Sequence, residues 1–448
     1  MKVLKFGGTS LGTPERMKEV ADIIQSGKPV MVVLSAVAGT TNRLVRMAEL
    51  LQEGEDLQAF ELLCELEDEY ESYIDGLFEG VEERVMAKSE CEQFYHTLQQ
   101  CIWKPHSAEI RNLMLAQGEL LSTTLFKLYL DSLDLSSALL PALEIMRTDA
   151  YGEPDMDHIR DRIHMIMESY TSVDLLITQG YICRDEAGCV SNLQRGGSDY
   201  TATLLGASIE AEEVQIWTDI DGLHNNDPRV VKETLPVRHL SYREAAELAY
   251  FGAKILHPTC IIPAEKERVP VRLKNTFQPE AFGTLISAAS SGKAISAIAA
   301  KDGITVIKVR SSRMLNAYGF LRRVFEVFEK YRTPIDMITT SEVAVSLTID
   351  NPAHLEEILE ELSPLAELSY EGRQTIICIV GDALNERRGN AKQIFSALED
   401  IPIRMVSYGG SNYNISILIN EDYKKEALLS LQRHLFTRKR QSEAVGNK

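Results

Sequence analysis

Five glycine-rich turns hold the side chains with the most chemistry in this 448-residue sequence. They are Lys5-Phe-Gly-Gly-Thr-Ser10, Ser35-Ala-Val-Ala-Gly-Thr-Thr41, Gly118-Glu119, Gly180-Tyr181 and Arg195-Gly-Gly-Ser-Asp199. Each sets a charged or hydroxyl residue beside glycine. Glycine lets backbone N–H groups come close to an anion, and a helix N-terminus favours negative charge. Lys5 and Arg195 lie within these segments, Arg229 closes the turn Asn226-Asp-Pro-Arg229, and Lys254 follows Gly252-Ala253. Together they suit a ligand of several negative charges, such as a nucleoside triphosphate. Taken singly, each turn reads equally well as an ordinary connection. The phosphate loops GxxxxGK[ST] and GxGxxG are both absent.

The elements around these turns alternate. Val3–Phe6, Pro29–Leu34, Leu175–Thr178 and Gln215–Thr218 are short apolar runs that end in polar turns. Such runs fit strands buried on both faces of a parallel sheet, where ligands sit beyond the carboxyl ends. Thr13-Pro14-Glu15 opens a helix with proline at its first position. From about Glu55 to Ile102 apolar residues recur at three- and four-residue steps in an acidic background, which predicts helices covering the sheet. Ser241 and Glu244 form a capping box for a helix reaching about Ala253. After a small-residue stretch at Ser287–Lys293 the pattern changes. Strands at Ile304–Val309, Val343–Ile349, Thr375–Val380, Ile403–Tyr408 and Asn414–Ile419 are interleaved with helices at Phe320–Tyr331, Ala353–Leu362, Asn390–Leu398 and Tyr423–Leu435. This reads as two ferredoxin-like repeats of about 70 residues each.

Composition limits the partners. With 47 Lys+Arg against 66 Asp+Glu the net charge is −19, and hydrophobic residues make up 44%. That is enough apolar material for packed cores, and the length suggests two or three domains. A chain this acidic does not suit nucleic acid or an anionic membrane. No apolar run reaches the roughly 18 residues of a membrane span, and the N-terminus does not read as a signal peptide. Seven cysteines without a CxxC pair point to reduced thiols and a cytoplasmic setting. Cys183 and Cys189 have no matching Cys/His pair nearby, so no zinc site is expected.

The motifs also resemble a known family. Lys5-Phe-Gly-Gly-Thr-Ser10, Gln194-Arg-Gly-Gly-Ser-Asp-Tyr200, Trp217-Thr-Asp219, Asn226-Asp-Pro-Arg229, Glu244-Ala-Ala-Glu-Leu-Ala-Tyr-Phe-Gly-Ala-Lys-Ile-Leu-His-Pro258 and Lys274-Asn-Thr-Phe277 are similar, in this order, to the signature blocks of aspartate kinases. The C-terminal repeats resemble the paired ACT domains that regulate them. The resemblance implies an α/β amino-acid-kinase-type three-layer fold with a mainly parallel central sheet over 1–290. Two ACT units of α+β type would follow at 300–370 and 371–440.

It also implies a reaction, ATP plus L-aspartate giving ADP plus 4-phospho-L-aspartate with Mg²⁺. This would be the first step of the aspartate-family route to lysine, threonine and methionine. By the same resemblance Lys5 meets the transferring phosphoryl group, with Gly7, Gly8 and Ser35 around it. Asp199 orients Lys5 or the metal shell. Arg195 grips the substrate α-carboxylate, Glu119 pairs with its ammonium, and Thr41, Tyr181 and Ser198 complete the pocket. Thr218, Asp219, His224, Arg229 and Lys254 hold the nucleotide. No protein-only metal site is implied. Three positions depart from the family pattern: His224 stands where tyrosine is common, Leu120 where arginine is, and Gln194 where glycine is.

Met314-Leu-Asn-Ala-Tyr-Gly-Phe-Leu321 and Ile335-Asp-Met-Ile-Thr-Thr-Ser-Glu-Val343 are similar to effector loops of lysine-inhibited members. Met314, Gly319, Phe320, Leu321, Ile335, Asp336, Ser341 and Glu342 would bind the effector, with Asp336 and Glu342 on the two ammonium groups of lysine. Threonine, or a purely dimerising repeat, is the alternative. A homodimer or homotetramer through the ACT units is expected. A catalytically dead amino-acid sensor, or a kinase of glutamate or a nucleotide, are the competing functions. The absence of a dinucleotide fingerprint argues against a fused dehydrogenase.

Overall fold

The computed structural model describes residues 1–25, 29–193, 196–252, 256–311 and 318–437. The chain divides into two compact units, Met1–Leu223 with Ile255–Ala289, and His224–Lys254 with Ser290–Lys448.

In chain order the first ten strands are β1 (Lys2–Phe6), β2 (Val30–Leu34), β3 (Ala138–Leu140), β4 (Leu175–Gln179), β5 (Ile182–Arg184), β6 (Val190–Asn192), β7 (Val214–Thr218), β8 (His239–Ser241), β9 (Val271–Asn275) and β10 (Thr284–Ser287). Within the first unit the sheet runs β3-β4-β2-β1-β7-β9-β10, while β5 and β6 form a separate hairpin. Pairings from β3 to β9 are parallel, and β10 returns antiparallel to β9. β2 and β4 are buried at every residue, β2 as its unbroken apolar run predicts and β4 even at its polar end, Thr178 and Gln179. Register aligns Phe6 with Leu34, and Leu34 with Gln179. Gly7, Ser35 and Gly180 therefore start their turns at one level of the sheet.

The acidic segment forms two helices, Asp56–Leu77 and Val81–Ile102. Their inner stripes, including Leu63, Leu66, Tyr70, Leu98 and Ile102, join a core with Leu4, Phe6, Val32 and Leu34. The charges stay outside. A longer helix, Ala108–Ser132, is buried nearly all round between Met114 and Phe126. Among the described residues no helix is long and apolar enough to cross a membrane.

The second unit is built on β11 (Ala297–Arg310), β12 (Ile338–Thr340), β13 (Ala344–Ile349), β14 (Glu367–Val380), β15 (Ile403–Tyr408) and β16 (Asn414–Asn420). They form one sheet in the order β12-β13-β11-β14-β16-β15. β11 and β14 are far longer than the strands read from sequence. They pair antiparallel along their lengths, Ala297 with Val380 and Arg310 with Glu367. The start of β11 packs with the second repeat, where Ile298 joins Ile377, Ile415 and Leu428. Its end packs with the first, where Ile307 and Val309 join Phe320, Val324 and Leu347. The two repeats are thus interleaved at β11 rather than simply consecutive. The helix Tyr242–Tyr250 carries the expected capping box of Ser241 and Glu244, but stops before Ala253.

Candidate active site

Lys5 lies near the carboxyl end of β1, and its Nζ is 2.6 Å from Asp199 Oδ1. The side chains are 11% and 18% exposed, and the contact is an ion pair rather than a well-angled hydrogen bond. Asp199 stands in the first turn of the helix Gly197–Ser208, which follows the left-handed Gly196. Next to Asp199, Ser198 Oγ accepts a 2.9 Å hydrogen bond from Ser35 Oγ at the end of β2. Gly7 N–H donates to the Trp217 carbonyl at 3.3 Å, tying the Lys5 turn to β7. Thr41 follows Thr40 at the N-terminus of the helix Thr40–Glu53, capped by the left-handed Gly39. Two helix N-termini, one ammonium and glycine-rich backbone thus meet at the carboxyl edge of the sheet, an arrangement suited to anions.

Glu119 is the counterpoint. Its residue is 3% exposed, and Oε1 accepts from the Ala36 backbone N–H at 3.3 Å. Oε2 has no hydrogen-bond partner among the described residues. Burial pushes its carboxyl up to about 8, against the pull of the Ala36 N–H and of Lys5. A buried carboxylate oxygen without a donor is a site for a cationic ligand group. Gly118 makes this placement feasible. A Cβ there would lie 2.9 Å from the Ala36 side chain, so only glycine lets the helix approach the β2 turn this closely. Ser122 Oγ donates to the Ser35 carbonyl at 2.8 Å and fixes the same approach.

Tyr181 has φ +67°, unusual for a non-glycine residue. Its N–H donates to Thr201 Oγ1 at 2.9 Å, which holds the bend. Burial raises its hydroxyl to about 12. Thr218 and Asp219 leave β7 beside β1, with Thr218 Oγ1 donating to Asp219 Oδ1 at 3.0 Å. The half-buried Leu120 packs on the apolar core.

Of the residues expected to hold the nucleotide, Thr218 and Asp219 lie in the first unit. His224 and Arg229 belong to the second. His224 Nδ1 bonds Thr234 Oγ1 at 2.7 Å. Arg229 is held by Asp227 through two contacts of 2.9 and 2.8 Å, with its side chain 74% exposed. Arg195, Gln194, Lys254 and Met314 lie outside the described residues. No group of three or more His, Cys, Asp or Glu among the described residues would hold a metal ion. Cys183 is buried and Cys189 half-buried, and neither is in a disulfide.

Of the effector residues, Gly319 caps the helix Phe320–Lys330 with φ +82°, Phe320 is buried and Leu321 exposed. Ile335 is half-buried and Glu342 exposed. Ser341 N–H and Ala344 C=O close the β12–β13 turn. Asp336 is already in a cluster: Lys301 Nζ is 2.7 Å from its Oδ1, and Tyr250 OH donates to the same oxygen at 3.1 Å. Burial raises the Asp336 carboxyl, opposed by Lys301. Lys301 and Tyr250 were not among the residues expected from sequence. The available signal was a lysine after the small apolar run Ala297–Ala300.

Residues 1–275 match the amino acid kinase family, and residues 377–435 match an ACT domain. Lysine-sensitive aspartokinase 3 of Escherichia coli (strain K12) is 33% identical over 450 residues, covering 97% of this chain and 99% of the relative. Chloroplastic aspartokinase 3 of Arabidopsis thaliana is 34% identical, covering 97% of this chain and 81% of the relative. The crystal structure of E. coli aspartokinase III with aspartate and ADP, described as the R-state, matches with a TM-score of 0.83 and 33% identity. That match covers 97% of this chain and 100% of that one. The same enzyme with lysine and aspartate, described as the T-state, matches with a TM-score of 0.80 and 33% identity, covering 97% and 99%. With a family match over most of its length and relatives at this identity nearly end to end, the chain belongs to the aspartokinases of the amino acid kinase family.

Proposed function

We propose that this chain transfers the γ-phosphoryl group of ATP to the side-chain carboxylate of L-aspartate. A carboxylate oxygen forms the new P–O bond, the bond to ADP breaks, and 4-phospho-L-aspartate leaves. The acceptor has a reference pKa of about 3.9, so it is already ionised at neutral pH and no general base is needed. What remains is to bring two anions into line and neutralise the charge between them. Lys5 takes that role, held in place by Asp199, with Gly7, Gly8 and Ser35 beside it. Glu119 receives the substrate ammonium, Arg195 its α-carboxylate, and Thr41, Tyr181 and Ser198 line the pocket. Thr218, Asp219, His224, Arg229 and Lys254 serve the nucleotide. Mg²⁺ would be held mainly by the nucleotide's phosphates, where it would offset their charge.

The observation that supports this reading most is the buried Glu119 carboxylate with one unpartnered oxygen near Lys5. A cation-seeking group beside an anion-seeking one suits an amino-acid acceptor. ATP-dependent trapping of the acyl phosphate as a hydroxamate, with L-aspartate and L-glutamate compared, tests it. Product from aspartate is expected, and its absence overturns the assignment.

We further assign the catalytic part to residues 1–290 and the ACT units to 300–370 and 371–440, the start of β11 completing the second ACT unit, with L-lysine as feedback inhibitor. The relative whose structure contains lysine supports that effector. Assembly as a homodimer or homotetramer through the ACT units completes the reading, and light scattering on the purified chain checks it.

A further inference from the structure

We propose that Lys301, Asp350 and Tyr250 are working parts of the effector site, and that Tyr250 relays its occupation to the helix Tyr242–Tyr250. This rests on the lysine-inhibition reading above. The Asp336 side chain is 2% exposed, and Lys301 Nζ bridges its Oδ1 at 2.7 Å and Asp350 Oδ2 at 2.8 Å. Two carboxylates therefore share one ammonium, and the cluster has a local charge of −1. Asp336 Oδ2 has no hydrogen-bond partner among the described residues. A buried charged oxygen left without a donor is costly, so the cluster has the charge and the acceptor for one more ammonium group. An amino-acid effector brings one.

The relay follows from what holds the other oxygen. Tyr250 OH donates to Asp336 Oδ1, and the Lys301 ammonium lies 4.8 Å from the centre of the Tyr250 ring. A second cation on Asp336 draws charge away from Oδ1 and weakens its hold on both groups. Tyr250 closes the helix Tyr242–Tyr250, whose earlier residues are fixed elsewhere. Glu244 accepts from Ser291 and Ser296 at 2.7 and 2.6 Å, and Glu247 accepts from Ser411 at 2.7 Å and from Asn414. Only the last turn is left to respond. Gly252 follows it at φ +113°, where a Cβ would lie 2.4 Å from the Ala300 carbonyl, the neighbour of Lys301. Two residues further along the chain is Lys254, assigned above to the nucleotide.

The test uses the full chain and Tyr250→Phe, which removes one hydroxyl. Calorimetry with L-lysine, and with L-threonine as the second arm, reads binding; the hydroxamate reaction reads inhibition. The expected result is near-normal lysine affinity, with the activity left at saturating lysine raised at least about fivefold, the low end of ordinary coupling. Normal binding with undiminished inhibition overturns the relay, and so does loss of binding itself, because Tyr250 would then only hold the pocket. A wild-type chain that binds neither amino acid overturns the effector reading instead. Lys301→Met supplies a second measurement: without the resident cation, lysine should raise its melting temperature more than it does for wild type. An equal or smaller rise removes Lys301 from the site.

Discussion

At the scale of single residues, charge placed without water governs the site. Lys5 and Asp199 neutralise each other at the sheet edge, and Lys5→Met leaves a carboxylate where phosphate must approach. A fall of about 100-fold or more in kcat/KM is expected, comparable to losing an electrostatic donor elsewhere. Normal turnover in a folded variant, checked by circular dichroism, would remove Lys5 from the reaction. Glu119 makes a pH-dependent prediction. Its folded carboxyl titrates near 8, above the unfolded value of about 4.3. An acid shifted upward keeps its proton longer when folded, so stability is lost as pH rises from about 4.3 towards 8. Glu119→Gln removes that loss. The ligand-free variant should melt higher than wild type at pH 8, by on the order of a few kcal/mol in stability, and match it near pH 4. The same titration lowers the KM for aspartate as pH approaches 8 in wild type, and the variant's KM should stay high and flat. A pH-independent KM in wild type would contradict the ammonium assignment.

At the scale of elements, the helix Ala108–Ser132 decides where Glu119 sits. Gly118→Val would press branched carbons into Ala36, costing about 1–3 kcal/mol of stability and raising the KM for aspartate more than that for ATP. Equal effects on both constants would show that the helix does not set the substrate pocket. This helix had no clear sequence signature, because Met114–Phe126 is buried on nearly every side and an amphipathic period needs a wet face. Gly118-Glu119, expected as a glycine-rich turn, lies in its middle. The parallel strands β1, β2, β4 and β7 were legible from their apolar runs, whereas β3, three residues long, and β9, with Arg272 and Lys274 in it, were not, and the capping box placed Ser241–Glu244 correctly. β12 was missed because its three residues are all exposed and carry no alternation. The glycine-rich turns brought Lys5, Ser35, Ser198 and Asp199 into view, since local sequence carries backbone shape. The unpartnered oxygen of Glu119 and the Lys301–Asp336 pair arise from long-range packing, which no local pattern encodes.

At the scale of the whole molecule, the net charge of −19 opposes both anionic substrates on approach. Salt screens that field over about 8–10 Å at physiological strength. Moderate added NaCl should therefore lower the KM for ATP, whereas a rise from the lowest salt upward would show that the local cations outweigh the global field. The interleaving of β11 with β14 bears on how the protein is made. Ala297 leaves the ribosome some 80 residues before its partner Val380. At about 5–20 residues per second, the first half of β11 waits several seconds with its hydrogen-bonding edge uncovered. Meanwhile its second half needs only residues up to Ile349, the end of β13, to find a partner. Synthesis thus closes the inner repeat first and threads the outer one around it, and a stalled chain ending between them would present a bare strand to its neighbours.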